Sequence, residues 1–304
     1  LKKITVDSNN KFFKNIDKLL VGKSDNTKED FDVLLFASRD IKETTIPSGI
    51  KQIQSNSFSF SSIEKIIISS SVTEIDECAF YSCLNLTQVE IPTDSQLRII
   101  KEKAFNFTNI ERIYIPRNVI RICKMAFSCR KLKKVEIPID SKLVTIESMA
   151  FFSSSIESIT IPENVSELED GWCYSTNKLT KVKISKNNKL YKEIDDDLII
   201  AKSDNNCDDF DVLFFAPRNI VRTKIPPYIK QISSYSFDSS SIESVIIPPS
   251  VTHINKGAFC YCKKLRNVEI PRDTQLVNLG QGSFYFTSIN RIYIPPAITQ
   301  ISEG

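Results

Sequence analysis

Residues 110–127 read IERIYIPRNVIRICKMAF. In the first six, Ile110, Ile113 and Ile115 fall on one side and Tyr114 on the other, the two-residue alternation of a half-buried strand rather than the 3.6-residue stripe of a helix. Pro116 follows, and a residue without an N–H is expected where a ladder stops. A second short extended piece, VIRI at 119–122, leads to Ala126-Phe127. The template returns as LTQVEIP ending at Pro92, LKKVEIP at Pro138, IESITIP at Pro162, IESVIIP at Pro248, LRNVEIP at Pro271 and INRIYIP at Pro295. The Ile closing each strand stands at 46, 68, 91, 115, 137, 161, 184, 225, 247, 270 and 294, mostly 22 to 24 residues apart. A unit this short cannot bury a face alone. Stacked at about 4.8 Å per coil it shares one long apolar interior with its neighbours, so the period predicts a mainly β repeat solenoid with a parallel sheet and short second strands. Phe58, Phe80, Phe105, Phe127, Phe151, Phe237, Phe259 and Phe284 recur at one place in the template and are expected inside it.

A longer period lies above this one. Ile46, Ile68, Ile91 and Ile115 match Ile225, Ile247, Ile270 and Ile294 at an offset of 179 residues, and LKKITVDSNNKFFKNID at the start matches LTKVKISKNNKLYKEID from Leu179. The expected organisation is one solenoid over 1–304, with a first super-repeat at 1–178, a truncated second one at 179–304, and β-hairpin islands at about 11–40 and 189–219. Since the chain starts and stops within the pattern, it is expected to be part of a longer protein.

The islands carry the densest charge. KSDNTKEDFDVLLFA, 23–37, crowds Asp25, Glu29, Asp30 and Asp32 together and returns as KSDNNCDDFDVLFFA, 202–216. Flanking apolar runs with a tip of Ser, Asp and Asn make a hairpin pattern. A calcium loop of the EF-hand kind needs a turn Gly and a distal Glu, and neither is present. Lys28 of the first copy is Cys207 in the second, and the stretch recurs because the whole block was duplicated. The tip is therefore read as a solvated hairpin, with no metal or cofactor assigned.

With 40 basic and 37 acidic residues and no block of like charge, the net charge of +3 recommends neither nucleic acid nor an anionic membrane as partner. No apolar run approaches the roughly 18 residues of a membrane span, so no membrane insertion is expected of these residues. The single histidine, His253, sits at a variable position in SVTHINKGAF without the company a zinc site or hydrolytic triad needs, and GQG at 280–282 is too short for a phosphate loop. No enzyme is read here. Of the eight cysteines, Cys83, Cys129 and Cys262 each precede a strand's first apolar residue by three. Counted back from the strand, their slot elsewhere holds Phe60, Phe107, Ser153, Ser239 and Phe286. They are read as buried small hydrophobes, and Cys83 and Cys129, two coils apart, lie beyond disulfide reach. Cys78, Cys123, Cys173, Cys207 and Cys260 cannot be paired from sequence.

The outward strand positions form the candidate binding face. One column runs Ile67, Glu90, Tyr114, Glu136, Thr160, Lys183, then Ile246, Glu269 and Tyr293; beside it stand Lys65, Gln88, Arg112, Lys134 and Arg291. Tyr and Arg among mixed charges suit an interaction surface, although aromatics also favour strands for packing alone. Loops after Pro92, Pro138 and Pro271, longer than their counterparts, form a second candidate rim. Sequons at Asn85, Asn106 and Asn164 are candidate glycosylation sites.

LTQVEIP followed by SVTEIDECAFYSCLNL (71–86) resembles the BspA-like leucine-rich repeat proteins of bacterial and trichomonad-type protist surfaces, and residues 191–232 are similar to the hairpin island that interrupts the repeats in that family. The resemblance covers nearly the whole chain. The departures are Ser or Phe where many repeats have Cys, and no Gly before most Ala-Phe pairs. It implies a leucine-rich repeat array, located at the cell surface or outside the cell, with a protein or glycoprotein partner from a host surface, the extracellular matrix or another microbe. Self-association stays open. An intracellular protein-binding scaffold, or the targeting array of a larger enzyme, are the alternative functions.

Overall fold

The computed structural model describes residues 1–25, 27, 29–204, 206 and 208–301. Lys28 and Cys207, where the two hairpin tips differ, lie outside the described residues. Two compact units are present, Leu1–Ile156 with Asn164–Cys173, and Glu157–Glu163 with Tyr174–Gly304. Each is a β-solenoid.

The first unit opens with the antiparallel strands Phe13–Ile16, Leu19–Gly22 and Val33–Ala37. On Val33–Ala37 stack parallel two-residue strands, Gln52–Ile53, Glu74–Ile75, Ile99–Ile100, Arg121–Ile122, Thr145–Ile146 and Glu167–Leu168, one per coil. Their register aligns Ile53, Ile75, Ile100, Ile122, Ile146 and Leu168, all buried. Longer strands at Glu43–Thr45, Lys65–Ile67 and Gln88–Glu90 form a three-stranded parallel sheet, and Arg112–Tyr114 pairs with Lys134–Glu136. The second unit repeats the scheme. Antiparallel Tyr191–Glu193, Ile199–Ala201 and Val212–Phe215 lead into parallel Gln231–Ile232, His253–Ile254 and Asn278–Leu279. The longer strands there are Ser158–Ile161 with Lys181–Ile184, and Ser244–Ile246 with Asn267–Glu269.

The Phe column fills the remaining side of each coil. In the first unit Phe58, Phe80, Phe105, Phe127 and Phe151 are fully buried and stack with ring centroids 4.8, 4.9, 5.4 and 5.9 Å apart, within 19° of parallel. Trp172 then meets Phe151 edge-on at 6.1 Å. In the second unit Phe237, Phe259 and Phe284 stack at 4.7 and 5.3 Å. Ring contacts of this kind add about 0.5–1.5 kcal/mol each beyond area burial. Phe284 is only partly buried.

Around these rings, except on the C-terminal side of Phe127, the backbone alternates hands. Cys78 and Ser82 have φ of 56° and 57°, Lys103 and Phe107 54° and 59°, Tyr235 and Ser239 60° and 56°. The left-handed region costs an L residue about 1–2 kcal/mol. Hydrogen bonds to the next coil offset it. Cys78, Phe80 and Ser82 donate their N–H groups to the carbonyls of Glu102, Ala104 and Asn106 at 3.0, 2.8 and 2.9 Å, and Lys103, Phe105 and Phe107 to those of Lys124, Ala126 and Ser128 at 3.0, 2.9 and 3.1 Å. Glycine before Ala-Phe is therefore dispensable here.

The same geometry corrects one reading of the sequence. Phe60, Phe107 and Phe286 do not share an interior slot with the buried cysteines. They take φ of 58°, 59° and 53° and point outward, 67%, 45% and 56% exposed. The residue after each enters the interior instead: Ser61 and Thr108 are buried in the first unit, and the Thr287 hydroxyl donates to the Phe284 carbonyl at 2.8 Å in the second. Counting back from the strand fails because the coils of Phe80 and Phe259 have one extra residue before it. Counted forward from Phe, Cys83 and Cys262 align with Ser61, Thr108, Ser240 and Thr287, and Cys129 turns inward one residue early. The inner column is thus uniformly small. Cys83 Sγ, Cys129 Sγ and Cys262 Sγ donate to the carbonyls of Phe58, Phe105 and Phe237 on the preceding coil at 3.1, 3.0 and 3.0 Å. All the described cysteines are unbridged.

Candidate binding surfaces

The outward strand column divides into segments. In the first unit Thr45, Ile67 and Glu90 are paired neighbours, with Lys65 Nζ 2.7 Å from Glu90 Oε1. Glu90 closes that three-stranded sheet, and Tyr114 is paired with Glu136 on the next strand pair. Glu136 Oε1 lies 2.7 Å from Lys134 Nζ and 3.7 Å from Arg112. Lys134, and less strongly Arg112, hold the Glu136 carboxyl below its ordinary value. In the second unit Thr160 is paired with Lys183 and Ile246 with Glu269. Ile246 is 61% exposed; Arg291 and Tyr293 are exposed. Tyr114 is half-buried and paired with Glu136, whose carboxylate meets Lys134 of its own strand and Arg112 of the Tyr114 strand. Such exposed pairs contribute little to stability and leave the face polar.

The acidic hairpins have a structural acid that sequence reading does not separate from the rest. Asp32 is buried and its oxygens accept from Ser24 N–H and Ser24 Oγ, both at 2.7 Å, while its carbonyl accepts from Lys51 N–H at 2.7 Å. Asp211 does the same with Ser203 N–H at 3.2 Å and also meets Lys230 Nζ at 3.1 Å. Asp25 and Asp204 close local turns through Thr27 and Asn206. Among the described residues no group of three His, Cys, Asp or Glu side chains is arranged to hold a metal ion.

The longer loops after Pro92, Pro138 and Pro271 close on themselves. Ser95, Ser141 and Thr274 each accept, at 3.2 Å, the N–H two residues on. The sequons differ in access. Asn85 and Asn164 are exposed, whereas Asn106 is 4% exposed, inside the coil turn, and has no room for a glycan in the folded chain.

Sequence reading missed the aromatic side of the coils. In the first unit Phe60, Tyr81 and Phe107 form an edge-to-face row with centroids 5.5 and 5.7 Å apart. In the second unit Tyr174, Tyr235, Tyr261 and Tyr285 line, with Lys256, Gly257, Cys260, Gln281 and Gly282, a pocket of about 320 Å³. Tyr174 packs on Tyr235 at 4.6 Å, and Tyr261 stands 5.7 Å from Tyr285. Gly257 is required there, because a Cβ would come within 2.5 Å of the Tyr235 ring. Beneath lies Asp238, fully buried. Its carboxylate accepts from Ser175 N–H at 2.8 Å, and from Ser239 Oγ and Cys260 Sγ at 3.2 Å each. In regular coils the residue in the place of Ser175 donates to a backbone carbonyl, as Ser82 does to Asn106. Here a side chain substitutes for it. Burial first, then neighbouring Cys260, Tyr261 and Asp238, push the Tyr174 hydroxyl up from its ordinary pKa.

Residues 29–143, 93–198 and 204–304 match the model of the BspA type leucine rich repeat region, in six copies. The pneumococcal vaccine antigen PcpA superposes with a TM-score of 0.82 at 22% identity, covering 95% of this chain and 77% of that one. A leucine rich cell surface protein from Faecalibacterium prausnitzii gives 0.73 at 24% identity, with 96% and 85% covered. A leucine-rich repeat protein from Eubacterium ventriosum gives 0.53 at 17% identity, with 93% and 91% covered. No curated protein matches the sequence.

Proposed function

Because the chain belongs to the BspA-type leucine-rich repeat family, we propose that it is a non-catalytic binding protein of the cell surface, an adhesin that attaches to host cells, extracellular-matrix proteins or other microbes. Two of its neighbours in fold, described as a vaccine antigen and as a cell surface protein, support that placement. Among the described residues no helix is long and apolar enough to cross a membrane.

The observation that carries the binding role is an outward face built from strand positions the core does not use. On it we place the contacts at Ile67, Glu90, Arg112, Tyr114 and Glu136 in the first unit and at Ile246, Glu269, Arg291 and Tyr293 in the second. Tyr114 is the anchor, since a partner burying its ring also pairs the charges of Arg112 and Glu136, and truncating a hot-spot aromatic costs about 2 kcal/mol or more. Tyr114→Ala with the fold intact by circular dichroism should weaken attachment to host cells or immobilised matrix protein at least tenfold, about 1.4 kcal/mol. Asp30→Ala on the hairpin should not. Equal binding by both variants removes the sheet face from the reading.

A second surface has its own observation. Phe60 and Phe107 are more exposed than any aromatic of the first unit's sheet face, and exposed aromatic rows mark interaction sites. Loss of attachment in Phe60→Ser and Phe107→Ser, with Tyr114→Ala unaffected, transfers the contact to the coil turns.

A further inference from the structure

The 179-residue duplication supplies an internal comparison for the tyrosine pocket. Its lining residues Tyr235, Lys256, Gly257, Cys260, Tyr261, Gln281, Gly282 and Tyr285 correspond to Asn56, Glu77, Cys78, Tyr81, Ser82, Glu102, Lys103 and Asn106 of the first copy. All of them differ, while the core rings beneath, Phe58 and Phe237, Phe80 and Phe259, Phe105 and Phe284, are the same. The change has a direction. Two carboxylates and one ammonium give way to one ammonium, Lys256, with an amide, a thiol, three phenols and two glycines. Other coils tolerate Lys103, Met125 and Met149 at φ of 54°, 55° and 58°, so glycine is not needed for the turn itself. Gly257 admits the Tyr235 ring.

The lining thus combines aromatic faces, phenol hydroxyls, an amide and a lone cation, with no carboxylate among the lining residues; that of Asp238 lies beneath, occupied by its donors Ser175, Ser239 and Cys260. Lys256, Gln281 and Tyr285 are exposed, so an occupant keeps one side in water. The volume falls at the lower end of the roughly 300–1,000 Å³ of small-ligand pockets. A purely apolar ligand would waste the hydroxyls and the exposed side, and a cationic one would meet Lys256. We propose that this pocket binds a carboxylate-bearing pyranose of a glycan, its C–H face on the tyrosine rings, its hydroxyls bonded to phenols and Gln281, and its carboxylate paired with Lys256. This rests on the binding-protein reading and names a ligand class for it, at a surface separate from the sheet face.

The test uses the purified chain and needs no cell adhesion. Sialyllactose and a glucuronate-terminated disaccharide are titrated by calorimetry and by saturation-transfer NMR, with lactose as the neutral control. At least one acidic sugar should bind, with lactose at least tenfold weaker. Lys256→Glu, which restores the first copy's residue at an exposed position, should weaken it tenfold or more, and Tyr261→Ser likewise. Which acidic sugar binds distinguishes a sialic from a uronic acid ligand. No binding of either up to about 10 mM, weaker than any useful site, overturns the proposal. So does equal binding of lactose, or an unchanged affinity in Lys256→Glu. If the acidic sugar binds while attachment to cells is absent, the pocket stands and the adhesin reading falls.

Discussion

The thiol of Cys129 donates to the carbonyl of Phe105 on the preceding coil at 3.0 Å, with the hydroxyl of Thr108 3.1 Å from the sulfur. Fully buried, the thiol is pushed up from 9.0 to about 12 by desolvation, which the contacts with Thr108 only partly oppose.

The sign of the pH dependence follows. Below pH 9 the thiol is protonated folded or unfolded. Above it the unfolded chain ionises first, so the stability Cys129 contributes is lost as pH rises from 9 to about 12, at most about 1.4 kcal/mol per pH unit. Melting temperature measured from pH 8 to 11 should fall less in Cys129→Ser than in the parent. In mass-spectrometric mapping of iodoacetamide labelling at pH 8, Cys129 and Cys83 should label only as the chain unfolds. Fast labelling of either removes it from the interior.

Phe105 sits between Phe80 and Phe127 at 4.9 and 5.4 Å with no exposure. Phe105→Ala should cost about 3–5 kcal/mol in urea unfolding. Phe284→Ala, truncating a partly exposed ring, should cost less. A change below about 0.5 kcal/mol at Phe105 would mean that its ring contributes no core packing.

Ser153 holds φ of 55° at a half-buried turn. Ser153→Gly relieves about 1–2 kcal/mol of backbone strain against about 0.4–1 kcal/mol of added unfolded-chain freedom. The melting temperature should rise slightly. Ala150→Gly, three residues away and buried, should lower it.

Calcium at low millimolar concentration should leave the melting temperature unchanged, since a ligand without affinity for the folded chain gives no linkage stabilisation. Asp32→Ala should cost about 1–3 kcal/mol, because two donors of Ser24 lose their acceptor. Exposed Asp30→Ala should stay within about 0.5 kcal/mol. A rise of several degrees with calcium, abolished by neutralising Asp25, Asp30, Asp204 and Asp208, would reinstate a metal site.

The strands and the Phe column were legible because both obey a spacing that survives duplication. Ile113, Phe105 and Phe127 are buried for the reason their periodicity states. The left-handed turns were not legible, since Gly, their usual marker, is replaced by Cys78, Lys103 and Met125, and the ladder hydrogen bonds that permit this are invisible in one dimension. The extra residue before the strand in the coils of Phe80 and Phe259 then put Phe60, Phe107 and Phe286 in the slot of the buried cysteines. Asp32 was hidden among exposed acids of identical type. The tyrosine pocket draws on several coils, and Tyr174 precedes the second copy altogether. Comparing Asn56 with Tyr235, Ser82 with Tyr261 and Asn106 with Tyr285 carries the signal, because those positions change while the rings between them do not.

The turn around each Phe bonds to the next coil mainly through its N–H and C=O groups. Its first left-handed position is therefore only loosely constrained by the fold: Asn, Cys, Lys, Met, Tyr and Gly all occupy it over the same aromatic column. A surface written on such positions can be rewritten one coil at a time with little change to the interior, and a duplicated array becomes a set of display panels that differ in surface chemistry while sharing one way of folding.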